Sequence, residues 1–205
     1  MPLGILAVTI VLIVLVAMGA KGGVDYTRGN ATEQPLSAEW SRGNAESKVV
    51  VIEYSDFQCP ACRAYEPLVN QLYKEFGDRV LFVYRHFPLF SIHPNADGAA
   101  RAAEAAGQQG KFWEMHDLLF VNQSSWSKLV NAESVFTGYA EKLGLSLDAY
   151  TAAFESAEAR QSVADDYARG LKMGVNSTPT FFLNGSKIRP SSYDEFRLLL
   201  EAALR

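Results

Sequence analysis

The chain is poor in cysteine and histidine and has no excess of basic charge. Its 205 residues contain two cysteines, Cys59 and Cys62. A secreted domain that depends on disulfides carries several well-separated cysteines, so this fold must rest on an apolar core. The three histidines, His86, His93 and His116, form no paired spacing with one another. A zinc site built on Cys59-Pro60-Ala61-Cys62 would need two more donors, so no metal is expected. Met- and His-rich tracts that would suit a copper carrier are missing near Cys59. Lys and Arg total 19 against 23 for Asp and Glu, a net charge of −4. Without concentrated basic residues the chain lacks what phosphate binding requires, which argues against a nucleic-acid partner. No internal repeat or low-complexity tract is visible.

What is present is 48% hydrophobic and 20% charged, proportions of one compact domain with something added at the N-terminus. Residues 3–20 are uninterrupted apolar sequence without a charge. As a helix rising about 1.5 Å per residue, this stretch nearly spans a bilayer's hydrocarbon core. It reads either as a transmembrane anchor or as the core of a signal sequence. Ala17-Met18-Gly19 puts small residues at the spacing of a signal-peptidase site, but no Lys or Arg precedes the stretch, which favours the anchor. Its flanking charges are too few to set an orientation. Residues 22–47, rich in Gly, Asn, Ser, Thr and Glu, read as a linker with a short strand or turn near its end. The expected organisation is therefore an anchor or signal at 1–21, a linker at 22–47 and a folded domain at 48–205.

The β-branched run at 49–52 suits a strand buried on both faces. It leads through Ser55-Asp56-Phe57-Gln58 into Cys59-Pro60-Ala61-Cys62. Tyr65, Leu68, Val69, Leu72, Tyr73 and Phe76 then recur at helical steps, and Gly77 closes the pattern. Cys59 thus precedes a first helical turn, with Pro60 where a helix best accepts proline. Free N–H groups and the helix dipole stabilise a thiolate there, bringing a thiol from ~8.5 to roughly 3.5–7.5. Cys59 is the expected exposed nucleophile and Cys62 the shielded partner that resolves a mixed disulfide. A purely structural disulfide is disfavoured, because so short a loop removes little chain entropy.

Glu53, six residues before Cys59, is either a solvent-facing strand residue or a carboxylate beneath the motif. In the second case it would exchange the proton of Cys62. Thr178-Pro179 precedes a short strand, and Asn184-Gly185 marks a hairpin turn. Pro179 reads as the start of an edge strand or as a cis bond. Between these halves, 79–87 reads as a strand, and helical patterns cover 96–106, 111–120, 132–143 and 148–170. Phe112, Trp113, Met115, His116 and Trp126 read as core, and 193–204 as a closing helix.

The strand, Glu53, Cys59-Pro60-Ala61-Cys62, Pro67 and Thr178-Pro179 together resemble the thioredoxin superfamily. More closely they resemble its DsbA-like disulfide oxidoreductases, in the membrane-anchored or secreted branch, over residues 48–204. The resemblance implies an α/β thioredoxin fold with a helical insertion at about 93–172 and a kink of the active-site helix at Pro67. It implies that Pro179 is the family's cis-proline, lying against the cysteines, and that Glu53 is its buried acid. Thr178, Pro179, Pro60 and Ala61 become the candidate substrate-binding residues; Cys59, Cys62 and Glu53 are the candidate catalytic ones. The implied activity is that of a cofactor-free monomer donating a disulfide to reduced or misoxidised exported proteins, reoxidised by a membrane partner, on the outer side of a bacterial membrane. The rivals are a reductase or isomerase kept reduced by a membrane protein, and a redox-independent chaperone. The family's strongest oxidants carry His where this chain has Ala61, which implies a moderately oxidising couple, less reducing than thioredoxin at around −270 mV.

Overall fold

The computed structural model describes residues 39–205. The anchor or signal expected at 1–21 and the linker up to residue 38 lie outside the described residues. Five strands form one mixed sheet: β1 (Trp40–Gly43), β2 (Val50–Ser55), β3 (Leu81–His86), β4 (Thr180–Leu183) and β5 (Ser186–Ile188), in the order β1-β3-β2-β4-β5. β2 and β3 run parallel, and the other pairings are antiparallel. Parallel neighbours need a crossover, which is α1 (Pro60–Phe76).

Every residue of β2 and β3 is buried, as an apolar run covered on both faces requires. Alternation along β2 divides the packing. Val49 and Val51 join Leu72 and Phe76 of α1 and Phe196 and Leu200 of α8 (Tyr193–Ala203). Val50, Ile52 and Tyr54 join Val83, Phe87, Phe182 and Val175 on the other side. The helical insertion comprises α2 (Ala96–Gly107), α3 (Phe112–Val121), α4 (Gln123–Trp126), α5 (Glu133–Lys142), α6 (Leu147–Phe154) and α7 (Ala157–Lys172). Small Ala99, Ala102, Ala103 and Ala106 of α2 pack in one core with Met115, Leu119, Trp126, Phe136 and Tyr150. Phe57, Cys59 and Cys62 belong to that same core, so the motif sits where the sheet meets the insertion.

Four details refine the sequence reading, among them the short strand near the linker's end and the cis bond at Pro179, each of them one of two alternatives in that reading. The end of the linker is the sheet's edge strand, held by Trp40, which stacks on Phe112 at 4.3 Å and donates to Glu104 at 2.7 Å. The stretch 148–170 is two helices, because Ser156 leaves the helix to accept the N–H of Ala159 and caps α7. β4, which follows Pro179, is internal to the sheet, and the Thr178-Pro179 peptide is cis. Gly77 ends α1 at an ordinary right-handed φ of −62°, and its lack of a side chain serves a close approach: a Cβ would stand 2.6 Å from the Tyr73 carbonyl. The Asn184-Gly185 turn matches expectation, with both residues at positive φ.

Candidate active site

β2 ends at Ser55, and the chain turns through Asp56-Phe57-Gln58 before α1. The Asp56 carboxylate accepts the Gln58 N–H at 2.7 Å and its carbonyl accepts the Cys59 N–H at 3.0 Å, which closes the turn. Cys59 is then the N-cap of α1, with Pro60 opening the helix and no side chain bonded across the cap. The first-turn N–H groups are left to serve a thiolate.

Both cysteines are free thiols. The Cys59 thiol is drawn down to about 5, first by hydrogen bonding from Cys62; burial opposes this, while the Thr178 side chain and the N–H groups of Cys62 and Ala61 reinforce it. Burial pushes the Cys62 thiol well above its ordinary range, and the charges of Cys59 and Glu53 add to the push. The two sulfurs therefore differ in chemistry. They differ less in exposure: Cys59 is 6% exposed and Cys62 1%, so the nucleophile lies just beneath the surface instead of standing out in solvent. Insertion residues close over it, and α4 supplies Gln123, whose amide donates to the carbonyls of Phe57 at 2.7 Å and Cys59 at 2.9 Å.

The Thr178 carbonyl accepts from the Cys59 thiol at 3.5 Å, so the cis-proline loop touches the nucleophile across 119 positions of sequence. Pro60 and Ala61 are exposed beside it. Pro179 is half-buried and lines a cavity of about 290 Å³ with Tyr65, Phe181, Lys187 and Arg189. A larger cavity of about 580 Å³, bordered by Glu39, Glu158, Asp165, Asp166 and Arg169, includes none of the candidate site residues.

Glu53 is buried in β2, paired with Tyr84 on one side and Phe181 on the other. Burial raises its carboxyl from 4.5 to about 7, against the pull of Ser55 and Arg42. Arg42 comes from β1, sandwiched between Tyr73 and Trp113 at 4.5 and 4.4 Å. Beside Glu53 lies a void of about 10 Å³, also lined by Arg42, Tyr84 and His116, about the smallest space that holds a water. Glu66 of α1 is buried as well and is raised to about 8 by burial and then by the charge of Glu53. Glu66, His116 and Asp117 lie together, but Asp117 reaches Nδ1 at 2.9 Å and Glu66 approaches Nε2 at 3.8 Å. Opposite sides of one ring cannot face a single ion, and His116 packs against Phe57 and Tyr84 as a core residue.

The structure thus brings Glu53, Cys59, Cys62, Thr178 and Pro179 to one place. Sequence reasoning missed Arg42, Asp56, Glu66, His93 and Gln123. Only Glu66, a charged position within the apolar helical pattern of α1, carried a signal that patterning rules could detect.

Residues 37–202 match the family model described as Thioredoxin. A thioredoxin-like oxidoreductase from Silicibacter pomeroyi DSS-3 is 30% identical, with a TM-score of 0.68 over 80% of this chain and 90% of that one. The alpha-DsbA1 of Wolbachia pipientis shares the fold at 21% identity, with a TM-score of 0.66 over 82% and 90% of the two chains. The Na(+)/H(+) antiporter NhaA 1 of Salinispora arenicola is 44% identical over 146 residues, which are 71% of this chain and 22% of that protein. The chain therefore spans less than a quarter of that curated relative's length.

Proposed function

This chain belongs to the thioredoxin family, and on that premise we propose that it is a DsbA-like thiol–disulfide oxidoreductase that donates a Cys59–Cys62 disulfide to exported proteins outside the cytoplasm. The observation that carries the direction of transfer is the contrast between the two thiols: Cys59 at about 5, Cys62 well above its ordinary range. A sulfur that is stable as a thiolate is a good leaving group, and a stabilised reduced form makes the disulfide oxidising.

In the proposed cycle a substrate thiolate attacks Cys59 Sγ and the Cys59–Cys62 bond breaks. Cys62 leaves with the electron pair and takes a proton from Glu53, whose carboxyl near 7 is partly protonated at neutral pH. A second substrate thiolate then attacks the substrate sulfur of the mixed disulfide, and Cys59 departs as a thiolate. Two electrons have moved from the substrate to the pair. A membrane redox partner would remove them. Pro60, Ala61, Thr178 and Pro179 surround the sulfur where an extended substrate would lie.

Such a donor has little use in the reducing cytoplasm, which supports an extracytoplasmic domain held by residues 1–21 as an anchor, or released if they are a signal. No helix among the described residues is long and apolar enough to cross a membrane. Antiport belongs to the relative that carries that name; the part of it that this chain matches supports only a shared domain. We take the working unit to be a monomer acting on reduced or misoxidised proteins.

The first test is the redox state of the pair in living cells, trapped with acid and alkylated. A mostly oxidised pair supports the donor. A mostly reduced pair would replace this reading with a reductase or isomerase, and client protection that survives changing both cysteines to Ser would point to a chaperone.

A further inference from the structure

Asp56 is a buried acid whose backbone touches both cysteines. Its carbonyl accepts the Cys59 N–H at 3.0 Å, and its own N–H points to Cys62 Sγ at 3.5 Å. Its carboxylate has no exposed surface and accepts the N–H groups of Gln58 and Leu89 at 2.7 and 2.9 Å. The Asp56 carboxylate and the Cys59 sulfur belong to one tight turn, and like charges disfavour each other's ionised forms. Buried charges need a partner. Here the partner is His93, 13% exposed, on the loop between β3 and α2, with Nδ1 2.7 Å from Asp56. Asp56 raises the imidazole above its ordinary 6.5, and the charge of Cys59 adds to the rise. That loop is fastened to the motif a second time, by Gln58 Oε1 accepting the Asn95 N–H at 2.7 Å.

We propose that His93 is a positioning residue for the redox pair: as an imidazolium bonded to Asp56 it cancels that carboxylate's charge, steadies the turn that presents Cys59, and keeps Cys59 a stable thiolate. It supplies, from a neighbouring loop, a positive charge that the Pro60-Ala61 dipeptide lacks. The inference rests on reading Cys59 and Cys62 as the working redox pair.

Two variants of the full chain test it. His93→Gln keeps a hydrogen-bond donor for Asp56 without the charge, and His93→Lys keeps the charge. In reduced H93Q, ultraviolet thiolate absorbance should titrate at higher pH than in the wild type. Its equilibrium with glutathione should lose about tenfold in oxidising strength, about 30 mV for a two-electron couple. H93K should recover most of both. A thiolate titration and equilibrium unchanged in H93Q would overturn the proposal, as would equal losses in H93Q and H93K with a lowered melting temperature, the mark of a purely structural role. A wild-type protein that fails to exchange with glutathione at all would sink the redox reading of the pair itself.

Discussion

At the scale of single residues, the chemistry turns on how burial separates groups of the same type. Glu53 and an exposed glutamate have the same side chain, but burial raises Glu53 from 4.5 to about 7. The sign for stability follows from linkage. Below about 4.5 the carboxyl is protonated in both folded and unfolded chains, so it costs nothing. As pH rises toward 7 the unfolded chain releases the proton while the folded one retains it, and stability falls. Above 7 the loss is complete, on the order of 3 kcal/mol. Glu53→Gln should therefore stabilise the protein at pH 8 by up to about that amount and leave it nearly unchanged at pH 4, measured by urea unfolding at both. The same variant should slow oxidation of a reduced peptide, by as much as roughly a hundredfold, the low end of general acid–base contributions. Unchanged kinetics would remove Glu53 from the mechanism.

At the scale of elements, the helices approach the sheet as closely as their smallest residues allow. Gly170 of α7 lies over the sheet, and a Cβ there would meet the Phe87 ring at 2.6 Å and Tyr54 at 3.0 Å. Glycine to alanine in an open helix gains about 1 kcal/mol, whereas overpacking a core costs roughly 1–3 kcal/mol. Gly170→Ala should therefore lower the urea midpoint. Gly138 of α5, with nothing within 4 Å of its would-be Cβ, is the control, and Gly138→Ala should raise it. Two midpoints that rise together would show that α7 yields to the added methyl. The strand β1 makes a related point: Trp40 and Arg42 hold it through ring contacts with the insertion and α1, partners that local sequence does not reveal.

At the scale of the whole molecule, the redox state and the stability of the fold are one equilibrium. In the reduced protein Cys59 is drawn down to about 5 from an ordinary 9.0. A group depressed by folding stabilises the folded state above its unfolded value, and that stabilisation is lost as pH falls through the folded one. Groups far from the pair titrate alike in oxidised and reduced forms, so the difference between the two reports the thiols and the groups coupled to them, His93 and Glu53. The stability of the reduced form relative to the oxidised form should rise from about pH 5 to about pH 9 and be flat below. Paired melting curves of the two forms across that range measure it. A difference that does not change with pH would mean that the fold does not stabilise the Cys59 thiolate, and the donor reading would lose its physical basis.

The sequence by itself determined the parts whose signals are local. The β-branched run before Cys59 made a buried strand, the helical spacing after Cys62 made α1, Pro60 marked its first turn, and Asn184-Gly185 made the hairpin. Those rules concern neighbours along the chain, and neighbours along the chain are what a sequence displays. The pairing of Cys59 with Glu53 and Thr178-Pro179 was legible only because the order of the motifs resembles a known family. Tertiary structure alone decided the rest. It placed Cys59 just under the surface, Arg42 beside Glu53, Glu66 within reach of the charge of Glu53, Gln123 on the motif's carbonyls and His93 on Asp56. Each is a polar side chain on one element meeting a buried group on another, and nothing in local periodicity encodes which distant residues will meet. Tertiary contact supplies the final step: burial lifts the Glu53 carboxyl to about 7, and hydrogen bonding led by Cys62 draws the Cys59 thiol to about 5 against the pull of burial.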